Sequence, residues 1–445
     1  MRLLYYGDTP WLVGWVSMLK NAINSLSALI LVVSSAPTLA QSAETDSVAA
    51  LATQKITDAA IANRYTLTQD GNRFSGPAWE KLLEEGRNAQ FFLIGEEHGV
   101  AENPKLSAAL FAELAKSGYT KIVIETSPTM ARLLDDAASD NGVGGLQKLF
   151  AEPGGEPAFF GMKEEAEFVA QARAALADKN SLFWGVDYEV TGDRQLIKRL
   201  KQKQKPDAAV AVLDKLASES GALWEKHAAT GGPQHIFSFA GDPQIVRDLR
   251  AAWPDRDNET SAILDTLEET LEINRLYLNG QNWQSNQRRA DLIRANFLRH
   301  WQAEQVDGRP PRLMAKMGAS HLVRGRSYTE AFDLGALLPE LAAMEGGHSF
   351  NVMVLPGKGS LTAVFDPTNF SFKAAPAKDG YAKGIEPVLD AAMQDQFTLI
   401  DLRPLRSVIR PGKMQNDQNL VRLIFGYDML LVMSGSTASS ELIHD

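Results

Sequence analysis

Short runs of uninterrupted apolar residues alternate along this chain with longer stretches of helical periodicity. Phe91-Phe92-Leu93-Ile94 is one such run, and an apolar run of that length suits a strand buried on both faces. Asn103-Pro104 then predicts a helix start, because Asn can cap and Pro suits the first helical position. Leu106, Leu110, Phe111 and Leu114 repeat at helical spacing, with Gly118 placed to end the helix. Lys121-Ile122-Val123-Ile124-Glu125 reads as a second buried strand, so the unit predicts a parallel pair joined by a right-handed crossover. Lys163 to Ala177 predicts another helix, and Leu182-Phe183-Trp184-Gly185-Val186 a third strand closing on Asp187. Arg312-Leu313-Met314-Ala315-Lys316-Met317 is a fourth strand, leading into Gly318-Ala319-Ser320-His321. Further strands are expected at Phe350 to Leu355, Phe397 to Ile400 and Met429 to Met433.

Between Asp193 and Gln305 the pattern is helical throughout, with helices expected at Ala211 to His227, Ala262 to Leu278 and Gln287 to Trp301. A crossover between parallel strands needs far fewer residues. The expected fold class is therefore α/β: a mostly parallel sheet flanked by helices, with a large helical lobe (residues 193–305) inserted between the third and fourth strands. That lobe either shapes a substrate cleft or serves only as packing. The α/β domain is expected to span residues 76–445, with 41–75 as a linker or lead-in.

The N-terminal pattern differs. From Met18 the chain reads Met-Leu-Lys-Asn, then an apolar run from Leu26 to Val33, then small residues up to Ala40. A basic start, an apolar stretch too short to span a bilayer and a small-residue site predict a secretory signal over residues 1–40. Residues 1–17 are then an upstream mis-start or an extended basic region. Cleavage near Ala40 predicts a periplasmic or secreted protein with no membrane anchor.

Composition narrows the chemistry. The chain has 445 residues, is 44% hydrophobic and 22% charged, and carries a net charge of -10. This is a globular composition, and the negative balance argues against a nucleic-acid partner. Its one basic run, Lys198 to Lys205, reads as a solvated helix face. Cysteine is absent, which removes disulfides, cysteine nucleophiles, thiolate metal sites and lipidated cysteine.

Polar residues recur at one kind of place. Glu96 and His98 follow the first strand, Glu125 ends the second, Asp187 ends the third and His321 lies beyond the fourth. In open parallel sheets ligands bind outside the carboxyl ends of the strands, so these residues are expected to share one rim. One chemistry open to them is general base catalysis, with a carboxylate orienting His98 and His321 or an arginine stabilising an oxyanion. Another is a Zn²⁺ or Mn²⁺ site built from Glu96, His98, Glu125 and His321, although the spacing matches no standard zinc motif. The bland reading is that Glu96 and Glu125 cap loops or pair with arginine. Glu97, Asp187, Arg289 and Arg324 are the expected substrate contacts; Arg288, Arg289 and Asp291 could equally form helical ion pairs. Ser320 lacks a nucleophile elbow, and Pro356-Gly357-Lys358-Gly359-Ser360 lacks the phosphate-loop spacing.

At these residues the sequence resembles the erythromycin esterase family, in a superfamily that also holds ChaN-like haem-binding lipoproteins. The likeness runs from about Ala89 to Met433. It rests on Leu93-Ile94-Gly95-Glu96-Glu97-His98-Gly99, Lys121-Ile122-Val123-Ile124-Glu125, Gly185-Val186-Asp187, Arg289 with Asp291 and Asn296, and the His321 segment. Asp333 to Leu338, Ile400-Asp401-Leu402-Arg403 and Tyr427-Asp428-Met429-Leu430 add to it. The resemblance implies cofactor-free hydrolysis of an ester or lactone in a small-molecule substrate. His98 would activate water, aided by Glu96, Glu125 and His321. It also implies two alternatives at the same rim: non-enzymatic binding of haem or another large ligand, and a divalent-metal hydrolase of the Tiki type.

Overall fold

The computed structural model describes residues 51–442, apart from residues 52, 153, 156–157, 177–180, 306–309, 367, 370, 378–380, 382 and 410–416. The expected secretory signal lies outside the described residues. A helix α1 (residues 53–62) leads into β1 (Arg64–Asp70), β2 (Arg73–Ser75) and α2 (Pro77–Asn88). The first predicted strand is β3 (Phe91–Glu96), followed by α3 (Glu102–Ala115), β4 (Tyr119–Ile124), α4 (Pro128–Phe150, kinked at Asn141-Gly142), α5 (Lys163–Ala175) and β5 (Phe183–Gly185). The helical stretch resolves into α6 (Asp193–Gln202), α7 (Asp207–Thr230), α8 (Phe237–Ala240), α9 (Pro243–Ala252), α10 (Asn258–Leu278) and α11 (Asn282–Ala303). The chain re-enters the sheet as β6 (Arg312–Gly318), then forms α12 (Ala319–Leu322), α13 (Leu334–Met344) and β7 (Ser349–Pro356). It continues through a hairpin of β8 (Leu361–Asp366) and β9 (Ser371–Pro376), then α14 (Glu386–Leu389), β10 (Phe397–Asp401), α15 (Gln418–Gly426) and β11 (Met429–Met433).

Among the described residues, nine strands form one sheet in the order β2-β1-β10-β11-β7-β3-β6-β4-β5. Pairing is parallel from β11 through to β5 and antiparallel among β11, β10, β1 and β2. The α/β, mostly parallel expectation therefore holds, with the helical insertion between the third and fourth predicted strands. Two local readings need correction. Residues Arg64–Ser75 are not linker: β1 extends the sheet by pairing with β10, and β2 by pairing with β1. Asn103 does not cap α3, which starts at Glu102; its Nδ2 instead donates to the Glu97 carbonyl at 2.7 Å.

Side-chain alternation explains why the parallel strands read as unbroken apolar runs. Phe92 and Ile94 of β3, Met314 of β6 and Ile122 and Ile124 of β4 pack with α2 to α5 on one face. Phe91 and Leu93, Leu313, Ala315 and Met317, and Val123 pack with α11 and α13 on the other. Burying each such large apolar side chain stabilises the fold by about 1.5–3 kcal/mol, so both faces must stay apolar until the strands end. The same alternation carries Glu96 and Lys316 to the first face and Glu125 to the second.

The loop after β3 is fixed from several sides. Glu97 N–H donates to Val354, and Thr362 Oγ1 in β8 donates to the His98 carbonyl at 3.0 Å. The Gly99 carbonyl accepts from Ala363 N–H at 2.8 Å and Ser439 N–H at 2.9 Å. Gly99 itself has φ +83°, and a Cβ there would lie 2.4 Å from the Ala363 carbonyl oxygen. Both the left-handed backbone and the close approach require glycine. Gly99→Ala is expected to destabilise the protein by about 2–4 kcal/mol, read as a lower urea midpoint; an unchanged midpoint would show that the loop is not held this way.

Candidate active site

The strand-end residues do meet, and His98 stands where the two faces of the sheet join. Glu96 ends β3 on the α5 side, and its Oε1 lies 3.1 Å from His98 Nδ1. Glu125 follows β4 on the α11 side, and its Oε2 lies 3.3 Å from His98 Nε2. That second contact lacks hydrogen-bond alignment, leaving Nε2 without a hydrogen-bond partner. The imidazole stacks on Phe159, ring centres 3.8 Å apart and 22° from parallel. His98 keeps 18% of its side chain exposed, against 1% for Glu96 and 2% for Glu125. His98 is therefore the most exposed member of this trio, with Nε2 itself buried between Glu125 and Gly318.

Each flanking carboxylate has its own cation. Lys316 of β6 places Nζ 2.8 Å from Glu96 Oε1 and 2.7 Å from Glu165 Oε1 of α5. Arg289 of α11 donates from Nη2 to Glu125 Oε1 at 2.8 Å and from Nε to Asp187 Oδ1 at 2.9 Å, with a second bond to Asp187 Oδ2. Glu125 Oε2 also accepts the Gly318 N–H at 2.7 Å. His321 Nε2 lies 3.5 Å from Glu125 Oε1, and its Nδ1 lies 2.6 Å from Asp333 Oδ2. Asp333 is anchored in turn as the N-cap of α13, accepting from Leu334 N–H at 2.7 Å. Five carboxylates thus face two permanent cations and two histidines.

This arrangement sets the charges. Burial disfavours an imidazolium at His98, but Glu125 and Glu96 outweigh it and lift the pKa to about 9. Burial likewise opposes charge on His321, and Asp333 with Glu125 lifts it to about 10. Burial pushes the Glu125 carboxyl up, yet His321 and His98 hold it well below the usual range. At Glu96 the opposing charges of Lys316 and His98 also win over burial, and its pKa is lowered. Both histidines are therefore imidazolium at neutral pH, a state stabilised by the carboxylates around them.

Glu125, Asp187 and His321 place one potential donor atom each within 4.8 Å of one another, a spacing that a metal ion would accept. The donor set does not fit one. Arg289 bridges the two carboxylates, and a divalent ion would have to displace its guanidinium. Of the other two expected ligands, Glu96 is held by Lys316 and His98 lies between Glu96 and Glu125.

Of the expected substrate contacts, Asp187 and Arg289 join the network by bonding each other. Glu97 is half-buried beside His98, and its backbone ties the loop to β7 and α3. Arg324 lies away from the rim: it binds Asp428 at 2.8 Å and the Ser349 carbonyl at 3.0 Å, where β7 and β11 begin. Arg288 pairs with Glu269 at 2.7 Å, and Asp291 with Arg294 on the same helix. Ser320 Oγ lies 3.1 Å from the Tyr381 hydroxyl. Lys316, Glu165 and Phe159 were not singled out from the sequence, and Asp333 entered only as part of a segment of the resemblance. A lysine inside an apolar strand run was the readable signal for the first; the others are visible only once helices and loops are packed.

Among solved structures, the chain is similar to a variant of the erythromycin esterase EreC in its open conformation. The identity is 16% and the TM-score 0.57, covering 86% of this chain and 100% of that one. A succinoglycan biosynthesis protein is similar at 11% identity and TM-score 0.52, covering 87% and 98%. A Bacillus cereus protein is similar at 12% identity and TM-score 0.51, covering 87% and 99%. This chain therefore has the erythromycin esterase fold. No family model matches it, and no curated protein matches it.

Two outcomes test the network. Arg289→Met leaves Glu125 and Asp187 without their guanidinium, so urea unfolding at pH 7 should show a loss of about 3–5 kcal/mol. That deficit should shrink as the pH falls and the orphaned carboxylates protonate; a loss below about 1 kcal/mol would contradict the pairing. The second concerns alkali. His98 and His321 have folded pKa values of about 9 and about 10, above their ordinary 6.5. Their stabilisation is complete below pH 6.5 and is lost as pH rises through 9 to 10. The Tm should fall over that window, and fall less steeply in His321→Gln; equal slopes would contradict the assignment.

Proposed function

We propose that the chain is an exported hydrolase that cleaves an ester or lactone bond, with His98 as the group that moves the proton. The observation carrying this reading is His98 itself: held at Nδ1 by Glu96, faced by Glu125 at Nε2, and the one partly exposed side chain of the three. In its neutral form the Nδ1–H points at Glu96, which leaves the Nε2 lone pair to take a proton from an attacking water. The water oxygen bonds to the ester carbonyl carbon, and the resulting imidazolium returns that proton to the departing alkoxide. The products are an acid and an alcohol. His321, charged and steadied by Asp333, can donate to the developing oxyanion. Arg289 and Asp187 then act by holding Glu125.

The family resemblance and the shared fold favour this chemistry over the alternatives. The metal-dependent reading meets the guanidinium of Arg289. The apolar run from Leu26 to Val33 and the small residues up to Ala40 support export to the periplasm or beyond.

A panel of esters and lactones tests the reading. His98→Asn should lower kcat by about 10²–10⁴ on any substrate turned over by the wild type. With a resting pKa of about 9, the neutral base is scarce at pH 7. The wild-type kcat/KM should therefore climb by roughly tenfold per pH unit from 7 towards 9. Equal rates in wild type and His98→Asn, or a profile that falls over that range, would remove His98 from the chemistry.

A further inference from the structure

The strand-end residues explain the α11 side of His98. On the α5 side, Lys316 and Glu165 have no counterpart among the residues expected from the sequence, and the reaction outlined above does not use them. We propose that Lys316 and Glu165 are positioning residues for His98, fixing Glu96 from the far face of the sheet and with it the orientation and charge of the imidazole. This rests on the hydrolase reading and adds to it the part of the site that orients the base.

The geometry is a continuous chain. His98 Nδ1 lies 3.1 Å from Glu96 Oε1, the same oxygen lies 2.8 Å from Lys316 Nζ, and Nζ lies 2.7 and 2.9 Å from the two Glu165 oxygens. Every member except His98 is almost wholly buried. A lysine in the middle of a buried strand is costly unless paired, and here it pairs on both sides. Without Lys316, Glu96 would face only His98 and Glu165 would face no cation. With it, one Glu96 oxygen is pinned between an ammonium and the imidazole, which fixes the proton on Nδ1 and the ring orientation.

The surroundings isolate this chain. From α5, Phe168 covers the ammonium, its ring centre 5.4 Å from Nζ. Glu164 on α5 and Glu102 on α3 are turned away, bonded to Ser440 and Thr437 of the C-terminal segment. From the other face, Glu125 reaches His98, with Arg289 and His321 behind it. Glu165 is a carboxylate on the α5 side that is coupled electrostatically to His98. Burial lifts its pKa to about 7 even beside Lys316, so the far end of the chain changes charge in the neutral range.

The sign of each effect follows. Ionised Glu165 stabilises the His98 imidazolium, whereas Lys316 opposes it. NMR titration of the His98 Cε1–H resonance of the full chain, assigned by its absence in His98→Asn, separates the two. Glu165→Gln, nearly isosteric, should lower the His98 midpoint by roughly half a pH unit and abolish a minor inflection near 7. Lys316→Met should move the midpoint the opposite way, and Lys316→Arg should restore it. On any ester that is turned over, Glu165→Gln should shift the pH profile of kcat with KM unchanged. A His98 titration identical to wild type in folded Glu165→Gln would overturn the inference, as would shifts of one sign in both variants. Because the titration needs no substrate, it stands apart from the hydrolase reading, which fails instead if His98→Asn retains full turnover.

Discussion

A carboxylate stays ionised inside a protein only if positive charge and hydrogen bonds replace the water it has lost. Glu96, Glu125, Asp187, Asp333 and Glu165 are all buried at one end of this sheet, so the site can exist only as a set of mutual pairings. Lys316 and Arg289 supply permanent cations, one on each face. His98 and His321 supply the rest by holding a proton. His98 is the bond between the two halves, because its nitrogens face carboxylates that point to opposite sides of the sheet. The same contacts that stabilise the fold thereby decide the charge of the residue assigned the chemistry.

The parallel sheet makes that meeting possible. β3, β6 and β4 are neighbours in register, and Glu96 pairs with Gly318 at the ends of two of them. Gly318 has no side chain, and one there would fall 2.9 Å from His98 Nε2 and 3.3 Å from Glu125 Oε2. The strand end must be a glycine for the imidazole to lie across it. The hairpin of β8 and β9 and the C-terminal segment then clamp the loop from outside. Precise placement of one imidazole requires such rigid backing.

Much of this was legible in the sequence because two rules are local. Apolar runs mark strands buried on both faces, and polar residues at their carboxyl ends mark a rim; together these find Glu96, His98, Glu125, Asp187 and His321. Arg289 came from the resemblance and the helix pattern. The rules fail where position depends on packing between distant elements. Arg324 is near His321 in sequence, but α12 carries the chain back along the sheet, so its guanidinium ends at Asp428. Glu165 looks like an ordinary first-turn glutamate of α5, and only the approach of α5 to β6 gives it a partner. β1 and β2 were missed because Tyr65-Thr66-Leu67-Thr68 is only partly buried and carries no long apolar run.

The central claim is that buried carboxylates on both faces of the sheet hold His98 as an imidazolium at neutral pH. Neutron diffraction from crystals at pH 7 in heavy water would locate its protons directly. The account predicts deuterium on both Nδ1 and Nε2 of His98, with Glu96 and Glu125 both bare of it. A neutral His98 with one nitrogen bare, or a deuteron on Glu125, would contradict the account.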